Sequence, residues 1–103
     1  MSVSVMKEAL IRSHVEGEEV DEVTFGIAKQ SSDISSLARI AAIKAELPVT
    51  VPGYTVHRQS GSGLQSINNA VRQIMCGLAD VVLAGGGESM CTAPYYFRNA
   101  RYG

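Results

Sequence analysis

Val51-Pro52-Gly53-Tyr54-Thr55-Val56-His57-Arg58-Gln59-Ser60-Gly61-Ser62-Gly63-Leu64-Gln65 holds the change of period on which the fold of this chain turns. Val49 to Arg58 carries β-branched and aromatic residues around a Pro52-Gly53 turn signal and predicts a strand. From Leu64 the apolar residues take helical spacing, at Leu64, Ile67, Val71, Ile74 and Leu78, the most regular helix of the chain. Gln59-Ser60-Gly61-Ser62-Gly63 must therefore make a sharp strand-to-helix turn. Nucleophiles are often mounted in such turns, because helix-terminal N–H groups and the macrodipole favour negative charge there. The plainer use of Ser60 or Ser62 is to cap the third helix.

Downstream, Gly77 is placed to cap that helix, and Asp80-Val81-Val82-Leu83-Ala84-Gly85-Gly86 is an apolar run of the kind buried on both faces of a sheet. Gly85-Gly86-Gly87-Glu88 closes it. That is the strand end at which open parallel sheets form sites, although a glycine run also makes an ordinary tight turn. Upstream, Val3, Met6, Leu10 and His14 predict an amphipathic helix, Glu22 to Ala28 a short strand, and Ser31 to Ser36 a polar loop. Leu37, Ile40, Ala41, Ile43, Ala45 and Leu47 predict an Ala-rich second helix stopped by Pro48. The order α-β-α-β-α-β implies the α/β class, with a mostly parallel sheet flanked by helices and right-handed crossovers. Residues 89 to 103 have no clear period.

Nine Lys plus Arg against ten Asp plus Glu give a net charge of −1, and 46% hydrophobic residues is ordinary for a globular protein. Neither nucleic acid nor a membrane is called for. Cys76 and Cys91 are too few for a disulfide framework or a cysteine zinc site, so both are expected as free thiols in a cytoplasmic setting. The N-terminus has neither the apolar core of a signal peptide nor an Arg-rich transit segment. Gly61-Ser62-Gly63 lacks the glycine spacing of a dinucleotide loop and the lysine of a P-loop, and His14 with His57 has no metal spacing. No metal is expected.

The segment Val51 to Gln65 resembles the active-site stretch of the thiolases, V-P-x-Y-T-V-N-R-x-C-x-S-G-L-Q. Ala79-Asp80-Val81-Val82-Leu83-Ala84-Gly85-Gly86-Gly87-Glu88-Ser89-Met90 is similar to the family's A-D-V-V-x-A-G-G-x-E-S-M run, continued by Ala93-Pro94-Tyr95. Weaker agreement at Val20 to Val23, Phe25-Gly26, Ala38-Arg39 and Leu47-Pro48 extends the resemblance over essentially the whole chain. It implies a thiolase-type acyltransferase, joining or cleaving acyl units on coenzyme A by Claisen chemistry through an acyl-enzyme. It also implies the first part of a five-layered α/β/α/β/α subunit, in a dimer or tetramer whose twofold contact uses the strand matching Tyr54 to Arg58. Coenzyme A thioester is then substrate rather than a permanently bound cofactor.

Residues 1–88 match the family's N-terminal domain without its first strand, and 89–103 match the start of its loop region, so a fragment is expected. Ser60 stands where the family has its acyl-accepting cysteine, and His57 where it usually has asparagine. A serine hydroxyl is a far weaker acid than a thiol and needs a positioned base. His57, three residues away on an extended strand, should point to the opposite face from Ser60. The family's second cysteine, its G-H-P histidine and its N-x-A-F segment have no counterpart here. The expectation is a chain inactive alone, with a non-catalytic, degenerate assembly module as the alternative.

Overall fold

Val23 and Phe25 are buried on one side of the strand Glu22–Gly26 (β1), and Thr24 and Gly26 on the other, as the two-residue period of a strand requires. β1 is the centre of a parallel sheet in the order β2-β1-β3, between Gly53–Val56 (β2) and Val82–Gly86 (β3). Phe25 lies opposite Thr55 on one side and Gly85 on the other. The helices are Ser2–Ser13 (α1), Leu37–Lys44 (α2) and Ser62–Met75 (α3), so the α-β-α-β-α-β order and the α/β class hold. This computed structural model describes residues 1–30 and 34–102; Ser31, Ser32 and Asp33 of the expected polar loop lie outside the described residues.

The two sides of the sheet are packed by different chemistry. Met6 of α1 and Leu37, Ala38, Ala41 and Ala42 of α2 close over Val23 and Phe25 to form the apolar core. The alanines let α2 sit close to the sheet. On the other side α3 presents Ser62, Ser66 and Ala70, all buried. The Ser66 hydroxyl lies 2.7 Å from the Gly63 carbonyl oxygen and 2.5 Å from that of Gly85, tying α3 to β3. Thr24 is fully buried on this same side, and its hydroxyl has no hydrogen-bond partner among the described residues.

The apolar stripe of α3 consequently points away from its own sheet. Leu64, Ile67, Val71, Ile74 and Leu78 are 46 to 77% exposed, whereas the apolar face of an amphipathic helix ordinarily turns to the core. Small side chains and glycines bring the helix down onto the sheet instead.

Three expectations need correction. β2 begins at Gly53 rather than near Val49, because the Arg39 guanidinium takes the carbonyls of Val51 (2.6 Å) and Val49 (3.0 Å) out of reach of a ladder. α2 stops at Lys44, before Pro48 can act: Glu46 turns left-handed at φ 69°, and Leu47 N–H donates to the Ala42 carbonyl at 3.1 Å. β3, at the edge of the sheet, is half-buried rather than covered on both faces. Gly77 does act at the end of α3, one residue beyond the Cys76 cap. Its φ of 68° lets Leu78 N–H reach the Gln73 carbonyl at 2.9 Å.

Candidate functional site

The C-terminal ends of β1 and β3 meet the first turn of α3, and glycines make that meeting possible. A Cβ on Gly26 would fall 2.2 Å from the Ser62 carbonyl carbon, and one on Gly86 would fall 3.2 Å from Gly63 Cα. Nothing larger than hydrogen fits at Gly26. The start of α3 is therefore set directly on the edge of the sheet, where its unsatisfied N–H groups and macrodipole act on whatever precedes the helix.

What precedes it is a tight turn. Gln59 takes a left-handed φ of 47°, a conformation that costs a non-glycine residue on the order of 1 kcal/mol. Gly61 N–H donates to the Arg58 carbonyl at 3.0 Å, and Ser62 N–H to the Gln59 carbonyl at 3.1 Å. The Ser62 hydroxyl, buried beneath the turn, accepts from Arg58 N–H at 2.7 Å and lies 2.6 Å from the Gln59 carbonyl oxygen. Neither serine caps α3 by a side-chain bond, because the cap position is Gly61. Ser60 is left exposed at the top of the turn.

Ser60, Gln59 and Gly63 line one side of a depression of about 600 Å³, with Ile27 and Ala28 from the end of β1 and Gly86 to Glu88 from the end of β3 opposite. The two sequence features singled out separately, the turn at Ser60 and the Gly85 to Glu88 run, thus share one concavity. The Glu88 carboxylate accepts from Ala28 N–H at 2.7 Å and Lys29 N–H at 3.0 Å, pinning the end of β1 to that of β3. Sequence reasoning missed this clamp. A carboxylate directly after a strand, facing the amides that end the neighbouring strand, was the available signal.

His57 is exposed, and its Nε2 lies 3.0 Å from the Ala28 carbonyl oxygen. Among the described residues the Ser60 hydroxyl has no hydrogen-bond partner. The Arg58 guanidinium is drawn along α3 by Gln65, which in turn donates to Asn69 at 2.7 Å. Cys76 and Cys91 are free and exposed, and Cys76 sits at the far end of α3, about 20 Å along the helix axis. Among the described residues no three of His, Cys, Asp or Glu gather as metal ligands. No helix there is long and apolar enough to cross a membrane.

The family model described as "Thiolase, N-terminal domain" matches residues 1–103. An acetyl-CoA acetyltransferase of Syntrophomonas wolfei is 39% identical over 99 residues, covering 96% of this chain and 25% of that protein. Beta-ketothiolase BktB of Cupriavidus necator is 42% identical over 100 residues, again 96% of this chain and 25% of the relative. Among solved structures, the acetyl-CoA acetyltransferase of Bacillus anthracis superposes with a TM-score of 0.95 at 46% identity, covering 98% of this chain and 26% of that one. The chain thus spans about a quarter of the length of the relatives it matches.

Proposed function

Because this chain belongs to the thiolase family, we propose that it carries the acyl-accepting turn of an acyltransferase acting on acyl-CoA, with Ser60 at the acceptor position. The observation that carries this reading is the placement of Ser60. It is exposed in a strained turn ahead of α3, at the rim of a depression built from the ends of two parallel strands. Acceptance of an acyl group there forms a bond from Ser60 Oγ to the acyl carbonyl carbon and breaks the carbon–sulfur bond of the thioester. Coenzyme A leaves as the thiol, taking up the serine proton.

That proton needs a base, and among the described residues none is hydrogen-bonded to the Ser60 hydroxyl. Glu88 Oε2 is engaged by two backbone amides and His57 Nε2 by the Ala28 carbonyl, and among the described residues neither is hydrogen-bonded to Ser60. Acylation of the 103-residue chain alone is therefore expected near background. The unpartnered Ser60 hydroxyl also supports the second reading, a non-catalytic assembly module that keeps the thiolase fold. For either reading we take residues 1–88 as the packed N-terminal domain and 89–103 as the start of a loop region. Beyond Glu88 the described residues form only short 3-10 turns, with Tyr95 and Phe97 exposed. Homo-oligomerisation through the free edge of β2, and a cytoplasmic location, complete the proposal.

A chimera separates the readings. The matched segment of the Bacillus anthracis relative is replaced by this chain with cysteine, serine or alanine at position 60, and thiolytic cleavage of acetoacetyl-CoA is followed. The acyl-acceptor reading expects activity with Ser60→Cys and a loss of at least about 10³-fold with Ser60→Ala, the scale of removing a covalent nucleophile. Equal activity of the cysteine and alanine forms would refute it. Unmodified Ser60 matching the alanine form would favour the non-catalytic reading of the natural chain.

A further inference from the structure

Ser62 has a hydroxyl engaged on every side and only 2% of its surface exposed, yet it caps no helix. Its oxygen accepts from Arg58 N–H at 2.7 Å, and it lies within donating distance of the Gln59 carbonyl at 2.6 Å and the Ile27 carbonyl at 3.3 Å. These groups bracket Gln59, the residue held left-handed. The Ile27 contact fastens the bracket to the chain leaving β1. The same hydroxyl thus fixes the shape of the turn and its position over the sheet.

We propose that Ser62 is a positioning residue for residue 60: its buried hydroxyl holds Gln59 left-handed and so keeps the side chain at 60 in line with the N-terminus of α3. This rests on the reading of residue 60 as the acyl acceptor and assigns what orients it. Without the hydroxyl, Arg58 N–H loses its acceptor and Gln59 can relax to an ordinary φ. Residue 60 then swings off the helix axis and loses the field that stabilises an anion there. Ser66 provides the contrast. It is equally buried on the same face of α3, but its hydroxyl contacts Gly63, within the helix, and Gly85, and makes no bond to residues 58–61.

The test gives residue 60 a titratable reporter. In the full 103-residue chain carrying Ser60→Cys, Cys76→Ser and Cys91→Ser, the rate of iodoacetamide alkylation is measured against pH. The expected midpoint lies below that of a free thiol, about 8.5. Adding Ser62→Ala moves it up by about one unit, while Ser66→Ala destabilises the chain and leaves the midpoint in place. A midpoint indifferent to Ser62→Ala, or moved equally by Ser66→Ala, overturns the assignment of Ser62 and leaves the acceptor reading intact. An ordinary midpoint already in the parent overturns both. Should Ser62→Ala lose its circular-dichroism signal, Ser62→Thr decides: it retains the oxygen and is expected to keep the low midpoint, and a folded threonine form with a free-thiol midpoint overturns the proposal.

Discussion

Gly26→Ala adds one methyl group at the point where the site depends most on its absence. The new Cβ would lie 2.2 Å from the Ser62 carbonyl carbon, 2.4 Å from its oxygen and 2.5 Å from Gly63 N, all backbone atoms that no rotamer change can move. Relief to an ordinary contact near 3.4 Å requires about 1.2 Å of separation, so the start of α3 must lift from β1 as a body. Overpacking of this kind costs about 1–3 kcal/mol, and the rigidity of the clashing atoms puts Gly26→Ala at about 3 kcal/mol. Gly63→Ala is the matched control. It makes the same chemical change inside the first turn of α3, where an added Cβ meets nothing within 4 Å, and is expected to stabilise by about 0.5–1 kcal/mol. Urea denaturation of both variants, followed by circular dichroism, gives the two free energies directly. A loss under about 1 kcal/mol for Gly26→Ala, or any loss for Gly63→Ala, would show that α3 does not rest on β1 as described.

Thr24→Val keeps the β-branched shape and removes a buried hydroxyl that has no partner, so it should raise the urea midpoint by about 1 kcal/mol equivalent; a lower midpoint would reveal a bond to that hydroxyl. Glu88→Ala removes the shared acceptor of the part-buried Ala28 N–H and the exposed Lys29 N–H and should cost about 0.5–1.5 kcal/mol, with faster amide exchange at those two positions as the specific mark. Asp21 is held below the usual carboxylate range by the amides of Val81 and then Asp80, which favour its charged form. Its contribution to stability is therefore present above the unfolded value of about 3.9 and lost as the pH falls through the lower folded value. Asp21→Asn should flatten that acid limb of a urea-midpoint profile, and an unchanged slope would remove Asp21 as its cause. Val71→Lys, at a position 49% exposed on the outer face of α3, should change stability by no more than about 0.5 kcal/mol. It should also reduce self-association in light scattering, and a large loss of stability would mean that the face is not outward in the free chain.

The elements around residue 60 could be read in advance because each carried its own period: two residues through Tyr54 and Val56, then 3.6 from Leu64. The glycines at 85 and 86 mark the end of a strand in the sequence itself. What escaped was set by side chains that act across the fold. Arg39 shortened β2 by taking the Val49 and Val51 carbonyls, a contact between α2 and a loop ten residues further on that no local pattern announces. The bonds of Ser62 and Glu88 were hidden for the same reason, since a side chain in a turn has no period from which its direction follows. The α3 stripe shows a different limit. Periodicity located its apolar residues correctly but could not say which face meets the sheet, because Ser62, Ser66 and Ala70 are an equally regular stripe of small residues.

The outward stripe of α3 also governs the order of events as the chain folds. Both strand pairs of the sheet form within one chain, with α2 crossing from β1 to β2 and α3 from β2 to β3, so the core around Val23 and Phe25 can close by a process that is first order in protein. That closure consumes none of Leu64, Ile67, Val71, Ile74 or Leu78. Within residues 1–103 a finished sheet therefore still carries a continuous sticky surface, and in this 103-residue chain covering it in trans depends on concentration. Dilution should improve the yield of refolding more than a change of temperature does.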